Sequence, residues 1–300
     1  MNLSSVWVEK YRPKSIAEVL LQENVKQQFE SFKEVPNNLL LIGSPGIGKS
    51  TVAKILAKTL APYSYLYINA SEQGNIETVR TLISDFISVQ SIDGNQKIVI
   101  LDEADGVSLV AQQALRSIME EYLDSVKFIL TANYKNKIIE ALRSRCQEFM
   151  FTCSEKQILV RIVEILKKEK ITVDKNQVSN LKNLLKKYFP DIRKTINEVQ
   201  KCCSTGSFEF QEETNDFVTD LQKEISDKTN VFTIRTMVLD NSDKFGNDFH
   251  SLMKQLFDVY VKEKNVVASL LISEYMYRHA FVLDAEVNFS ALLFQLNQKL

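Results

Sequence analysis

The sequence predicts an α/β fold with a mainly parallel sheet, followed by segments that are helical to the end. Two observations predict it. The first half alternates short apolar runs with amphipathic stretches, the pattern of strand–helix–strand units. After about Phe151 the apolar residues take up helical spacing and no further strand pattern follows. Three hundred residues exceed one ordinary core, so two or three domains are expected.

The expected strands are residues 39–42, 65–69, 98–101, 127–131 and 148–151, each a short apolar run. Between the first two, Val52, Ile55, Leu56 and Leu60 share one helical face. Beyond the last strand, Ile158, Leu159, Ile162, Val163 and Leu166 follow a helical period, and Val178, Leu181, Leu184 and Leu185 begin another. The polar stretch 204–215, with Gly206, reads as a linker. The organisation expected is therefore an α/β core over 1–150, a small helical domain over 151–217 and a helical C-terminal domain over 218–300.

Composition narrows the class. An apolar fraction of 45% and a charged fraction of 25% are those of a globular protein. No apolar run approaches the roughly 20 residues that span a bilayer. The start, MNLSSVWVEKYRP, lacks the apolar stretch of a secretory signal. A cytoplasmic protein without a membrane partner is expected. With 37 basic and 38 acidic side chains the net charge is −1, so any nucleic-acid contact needs basic residues gathered on one surface. Cys146, Cys153, Cys202 and Cys203 lack the paired spacing of a zinc site, and His250 and His279 lie far from them in sequence. Reduced thiols are expected.

The segment from Gly43 to Ser50, GSPGIGKS, matches G-x-x-x-x-G-K-[ST] at every fixed position. Its glycines, among them Gly46 and Gly48, let backbone N–H groups curl around phosphate oxygens. Lys49 is then expected on the β- and γ-phosphates of ATP, and the Ser50 hydroxyl in the Mg²⁺ shell. An apolar strand before the loop and a helix after it, beginning at Ser50 and Thr51, complete the setting. The run Ile98–Leu101 ends in Asp102 and Glu103. Such a strand delivers Asp102 to the magnesium and leaves Glu103 to orient or deprotonate the attacking water. Asn133 ends a further apolar strand, placed either to bond the γ-phosphate or simply to turn the chain. Arg145, before the last strand, reads by itself as a solvated charge.

These motifs stand in a recognisable order. Residues 7–13 (WVEKYRP), the P-loop, Asp102–Asp105 (DEAD), 114–120 (ALRSIME), 144–146 (SRC) and 189–195 (FPDIRKT) follow one another as in clamp-loader ATPase subunits. The chain resembles the replication factor C small-subunit type, and most of all the large ATPase subunit of T-even-type bacteriophage clamp loaders. The resemblance covers roughly residues 7–200. It implies an AAA+ core with a five-stranded parallel sheet, a helical lid and an all-helical collar that holds a ring together. It further implies that Val8, Glu9, Lys10, Tyr11 and Leu20, with Gly46, Ile47, Gly48 and Thr51, surround the nucleotide. Asn133 resembles sensor 1, and Arg193 resembles the sensor 2 arginine that touches the nucleotide of its own subunit. Arg145 resembles the arginine finger that acts in trans on a neighbour's γ-phosphate.

The implied partners are a sliding clamp, primer–template DNA, and a pentamer of about four copies of this chain with one different subunit. Arg80 and Arg116 are the candidate DNA contacts, with Gln113 beside Arg116 on the central helix. Leu109 and Val110 read equally as a clamp-docking pair or as core. Cellular relatives carry two adjacent arginines where this chain has Arg116 and Ser117.

Other readings are open to test. The letters DEAD also occur in helicases, but residues 151–300 show no second sheet. A branch-migration or initiator motor of the same class usually adds a winged helix, and no strand pair in the tail would build its wing. A non-hydrolysing scaffold should have lost Lys49, Ser50, Asp102 or Glu103, and all four are present.

Overall fold

The computed structural model describes residues 6–70, 76–89, 96–174, 177–204, 206–210 and 216–300. The chain divides into two compact units, one ending at Gln211 and one beginning at Glu212.

The first unit opens with α1 (Trp7–Lys10) and α2 (Glu23–Ser31), then alternates strands and helices. They run β1 (Asn38–Gly43), α3 (Lys49–Leu60), β2 (Tyr65–Asn69), α4 (Ile76–Ser88), β3 (Lys97–Asp102), α5 (Leu109–Glu121), β4 (Val126–Ala132), α6 (Glu140–Arg143) and β5 (Cys146–Phe151). The five strands pair in parallel in the order β2-β3-β4-β1-β5. A parallel sheet needs both faces covered, and its central strands read as continuous apolar runs for that reason. Every residue of β1 and of β3 is buried. One apolar cluster, containing Leu39, Leu41, Ile98, Ile100 and Ile129, packs under α3; the other, containing Leu40, Ile42, Val99, Leu101 and Phe128, packs under α4 and α5. Alternate residues of the same strands thus serve opposite faces.

The strands are each where the sequence places them, longer by a residue or two at their ends except for β2, which coincides. Lys97 begins β3 nearly buried, and its ammonium donates to the carbonyls of Phe86 at 2.8 Å and Ile87 at 2.9 Å and to that of Val89. It closes the C-terminal end of α4, where unpaired carbonyls favour a cation.

Three further helices complete this unit: α7 (Glu155–Lys168), α8 (Val178–Tyr188) and α9 (Ile192–Cys202). Ser154 and Gln157 form a capping box on α7, and Asp191 caps α9 by accepting from Lys194 N at 2.8 Å. Their core joins Ile158, Ile162, Leu184 and Val199 with Trp7 of α1, whose N–H donates to Gln200 Oε1 at 2.9 Å. The stretch read as a linker is in part lid. Phe208 is buried in this cluster, and Asn180 Nδ2 donates to Phe210 O at 2.9 Å. An apolar side chain outweighed the polar composition around it. Residues 205 and 211–215 of that stretch lie outside those described.

The described residues of the second unit form five α-helices with a short 3₁₀ turn: α10 (Asp216–Ser226), α11 (Val231–Asp240), α12 (Phe249–Lys262), α13 (Val266–His279) and α14 (Ala285–Lys299). Its core includes Leu221, Leu252, Leu256, Ile272, Leu292 and Leu296. Each of the last four helices starts on an Asn or Asp whose side chain accepts a first-turn N–H. Its described residues contain no strand.

Phe128 is fully buried at the centre of the sheet, so Phe128→Ala should lower unfolding stability by about 3–5 kcal/mol, read from the urea midpoint by circular dichroism.

Candidate nucleotide site

The strand order sets neighbouring strand ends side by side. β1 runs into the loop from Gly43 to Lys49, β3 ends on Asp102, and β4, between them, leads to Asn133. Gly46 and Gly48 have φ of 71° and 106°, a region that side chains disfavour. The loop curls back over α3, and Lys49 is held inside the curl, 7% exposed. Its ammonium donates to Gly43 O and Ser44 O at 2.9 Å and to Asn133 Oδ1 at 2.8 Å. Burial pushes Lys49 down to about 8, against the pull of Asp105, Asp102 and Glu103; the charge of Arg193 lowers it further.

Asp102 is 6% exposed and fully engaged. Its Oδ1 accepts from Ser50 Oγ at 2.7 Å and Thr131 Oγ1 at 2.5 Å, and its Oδ2 from Tyr67 OH at 2.7 Å. Ser50 and Asp102 thus present a hydroxyl and a carboxylate together, the hard oxygen donors that suit magnesium. Glu103 follows with φ 57° and ψ 43°, a left-handed conformation unusual outside glycine. Its N–H donates to Thr131 Oγ1 at 3.0 Å, and the residue is solvent-exposed. Asp105 accepts from Tyr134 N at 3.2 Å, while its Oδ1 is buried without a partner.

A cleft of about 600 Å³ opens beside the loop. Val8, Tyr11, Leu20, Gly46, Ile47, Gly48, Thr51 and Arg193, all expected from the sequence, line it. Glu9 and Lys10 do not. Glu9 pairs with Arg12, one bond being 2.9 Å, and Lys10 meets Glu169 at 2.6 Å. Arg12, Val19, Arg161 and Ile192 line the cleft without having been singled out in the sequence. Arg161 Nη2 donates to Tyr11 O at 2.8 Å, tying α7 to the end of α1.

Arg145 is placed apart from this group. It immediately precedes β5, whose Cys146 pairs with Asn38 at the start of β1, whereas the P-loop leaves the other end of β1 at Gly43. Arg145 instead donates to Ala141 O at 2.6 Å and pairs with Glu120, which also meets Arg116 Nε at 3.3 Å. Arg80, on α4, faces Glu121 of α5 at 3.7 Å. The turn at 71–75 that precedes it lies outside the described residues. Leu109 and Val110 are 65% and 72% exposed, so neither is core. Gln113 is exposed as well. All four cysteines are free, and no group of three potential metal-ligating His, Cys, Asp or Glu side chains occurs among the described residues. No described helix is long and apolar enough to cross a membrane.

Comparison with known proteins bears on this geometry. Residues 39–154 match the ATPase family associated with various cellular activities (AAA), and residues 152–209 match the family described as sliding-clamp-loader large subunit, AAA+ ATPase lid domain. The chain is an AAA+ protein with a lid of the clamp-loader type. It is 37% identical over 209 residues to a replication factor C small subunit from Staphylothermus marinus, covering 67% of this chain and 63% of that one. A second such subunit, from Archaeoglobus fulgidus, is 38% identical over 214 residues, covering 69% and 66%. The chain thus spans slightly less than two thirds of these relatives. The Thermotoga maritima RuvB Holliday junction branch migration motor shares the fold with a TM-score of 0.52 at 17% identity, over 76% of this chain and 85% of that one.

The buried ammonium makes stability depend on pH in a definite direction. Below about pH 8 Lys49 is charged folded and unfolded, and the fold bears the full cost of burying it. Between about 8 and its ordinary 10.5 the folded chain releases this proton first, so stability rises with pH through that window. Between about pH 7.5 and 10, wild type should gain on the order of 1–2 kcal/mol relative to Lys49→Met, measured as paired urea midpoints.

Proposed function

We propose that this chain is the ATP-hydrolysing subunit of a sliding-clamp loader, which opens the clamp and sets it on primer–template DNA. The placement of Arg145 carries the reading. A strand as long as β5 measures about 17–20 Å, and an arginine side chain is far shorter. Arg145 thus lies out of reach of its own subunit's phosphate loop, which supports its reading as an arginine finger for a neighbouring subunit. The lid-family match and the replication factor C relatives support the same assignment.

On this reading Lys49 exchanges its carbonyl partners for the β- and γ-phosphates, and Asn133 is released to the γ-phosphate or the water. Ser50 and Asp102 would hold a magnesium ion, which supplies charge neutralisation at the phosphates. Lys49 stands among the carboxylates of Asp102, Glu103 and Asp105, and a magnesium ion would add positive charge there for a polyanion. Glu103, exposed beside the cluster, orients and deprotonates the water. Arg193 reaches the nucleotide from the lid, and Val8, Tyr11 and Leu20 enclose its base. The second unit is the collar of a pentamer, about four copies with one different subunit. Arg80 and Arg116 follow the DNA phosphates, and exposed Leu109 and Val110 dock the clamp. The absence of strands among the described residues of the second unit weighs against a winged-helix motor.

Three experiments test the reading. Lys49→Ala should abolish tight ATP binding, whereas Glu103→Gln should bind ATP and not turn it over; equal loss of binding in both would contradict the roles. An arginine supplied in trans is worth about 10³–10⁵ in rate. Titrating Arg145→Ala into wild-type assemblies should therefore lower ATPase beyond simple dilution, and unchanged turnover at every ratio would remove the finger from Arg145. Steady-state ATPase of the co-expressed complex should rise strongly only when clamp and primed DNA are both present. Stimulation by DNA alone would point to another AAA+ motor.

A further inference from the structure

We propose that Tyr67 is a positioning residue for the metal-binding carboxylate of Asp102, its hydroxyl made a stronger donor by the ammonium of Lys54; this rests on the magnesium–ATP reading above. The evidence is the register of the sheet. In the parallel pair β2–β3, Tyr67 stands opposite Ile100 and Asn69 opposite Asp102. Side chains two apart on a strand share a face, so Tyr67 and Asp102 lie on the same side of the sheet. The phenol crosses to Asp102 Oδ2 at 2.7 Å, while Ser50 and Thr131 occupy Oδ1. Three hydroxyls therefore fix both oxygens of a carboxylate almost withdrawn from water.

Core packing does not account for Tyr67. It lies on the edge strand, 37% exposed, and belongs to neither buried cluster of the sheet. Its ring instead carries the Lys54 ammonium, 3.8 Å from the ring centroid. Lys54 lies on α3, the helix that begins with Lys49 and Ser50. A cation at that distance draws on the π electrons, and a hydroxyl on a depleted ring donates more strongly. The chain from Lys54 through Tyr67 to Asp102 holds the carboxylate beside Ser50, the other residue that would hold the ion. Groups that orient a metal ligand from behind usually matter nearly as much as the ligand.

Tyr67→Phe removes the hydroxyl and keeps the ring. Manganese serves as the probe, since it accepts the same oxygen donors as magnesium and its free ion is read by electron paramagnetic resonance. With the full chain and ADP, Tyr67→Phe should weaken Mn²⁺ binding about 10-fold. Lys54→Met should weaken it in the same direction by roughly two- to three-fold. ADP affinity measured in EDTA should stay within about two-fold for Tyr67→Phe, because no ion is then held. Manganese affinity of Tyr67→Phe indistinguishable from wild type would overturn the proposal. So would an equal loss of ADP affinity in EDTA, the mark of a packing role. Failure of the wild-type chain to bind ADP with Mn²⁺ would overturn the nucleotide reading itself, and is told apart because it precedes any variant.

Discussion

An ammonium withdrawn from water must be surrounded by oxygen, and much of the first unit is arranged to supply it to Lys49. The carbonyls of Gly43 and Ser44 come from the loop after β1, and the amide oxygen of Asn133 from the loop after β4. These loops meet only because β4 pairs with β1, a crossover that the chain makes through β2, β3 and the helices between. The arrangement still leaves Lys49 easier to deprotonate than a solvated lysine. Its three partners are neutral, and each satisfies a hydrogen without cancelling the charge. A buried cation whose hydrogen-bond partners are all neutral, with the carboxylates of Asp102, Glu103 and Asp105 near but not among those partners, can exchange them for the oxygens of a phosphate group.

The lid is drawn into the same constraint through one glycine. The N–H of Arg193 donates to Gly46 O at 3.3 Å, and a Cβ built on Gly46 would lie 1.9 Å from Asp191 Oδ1. Glycine at this position thus satisfies two demands: a positive φ in the loop and the close approach of the α9 cap. Ile192, between those two lid residues, packs against the cluster under α3 that contains Ile47. The start of the lid helix and the phosphate loop therefore share one packed surface. The cleft lies along it and is lined also by Val8 and Tyr11, at α1, which Trp7 and the Arg161–Tyr11 bond fasten to the lid.

How much of this was legible depended on whether a residue acts through local pattern or through register. The P-loop is contiguous, and its glycines, lysine and serine are read directly. The strands were legible because burial on both faces demands unbroken apolar runs. Tyr67 and Thr131 were not. Each is an ordinary strand residue by type, and only the side-by-side alignment of β2, β3 and β4 brings their hydroxyls to Asp102. Glu9 and Lys10 show the converse: a local motif does not say which way each side chain faces. They lie within the segment expected around the nucleotide, but a four-residue helix turns their charges outward to Arg12 and Glu169 while Val8 and Tyr11 face the cleft. Phe208 was hidden by polar neighbours, since composition averages over a single side chain that packs.

Helix α5 links the two ends of the sheet. Its 13 residues span roughly 20 Å at 1.5 Å each, about the length of a strand. Its first turn is anchored near the nucleotide end: Gln112, 1% exposed, donates to Val107 O and Lys137 O and accepts from Ile139 N. Its last turn carries Glu120, the carboxylate shared by Arg116 and Arg145. One stiff element therefore holds the loop that follows β3 at one end and, at the other, the carboxylate that pairs with Arg145. The trio of Glu120, Arg116 and Arg145 has one more cation than anion on an exposed surface. A phosphate that engages either arginine must compete with the same carboxylate, so the two guanidinium groups are not independent. On the proposed reading one faces DNA and the other a neighbour's nucleotide, and Glu120 is the point at which the two electrostatic demands meet.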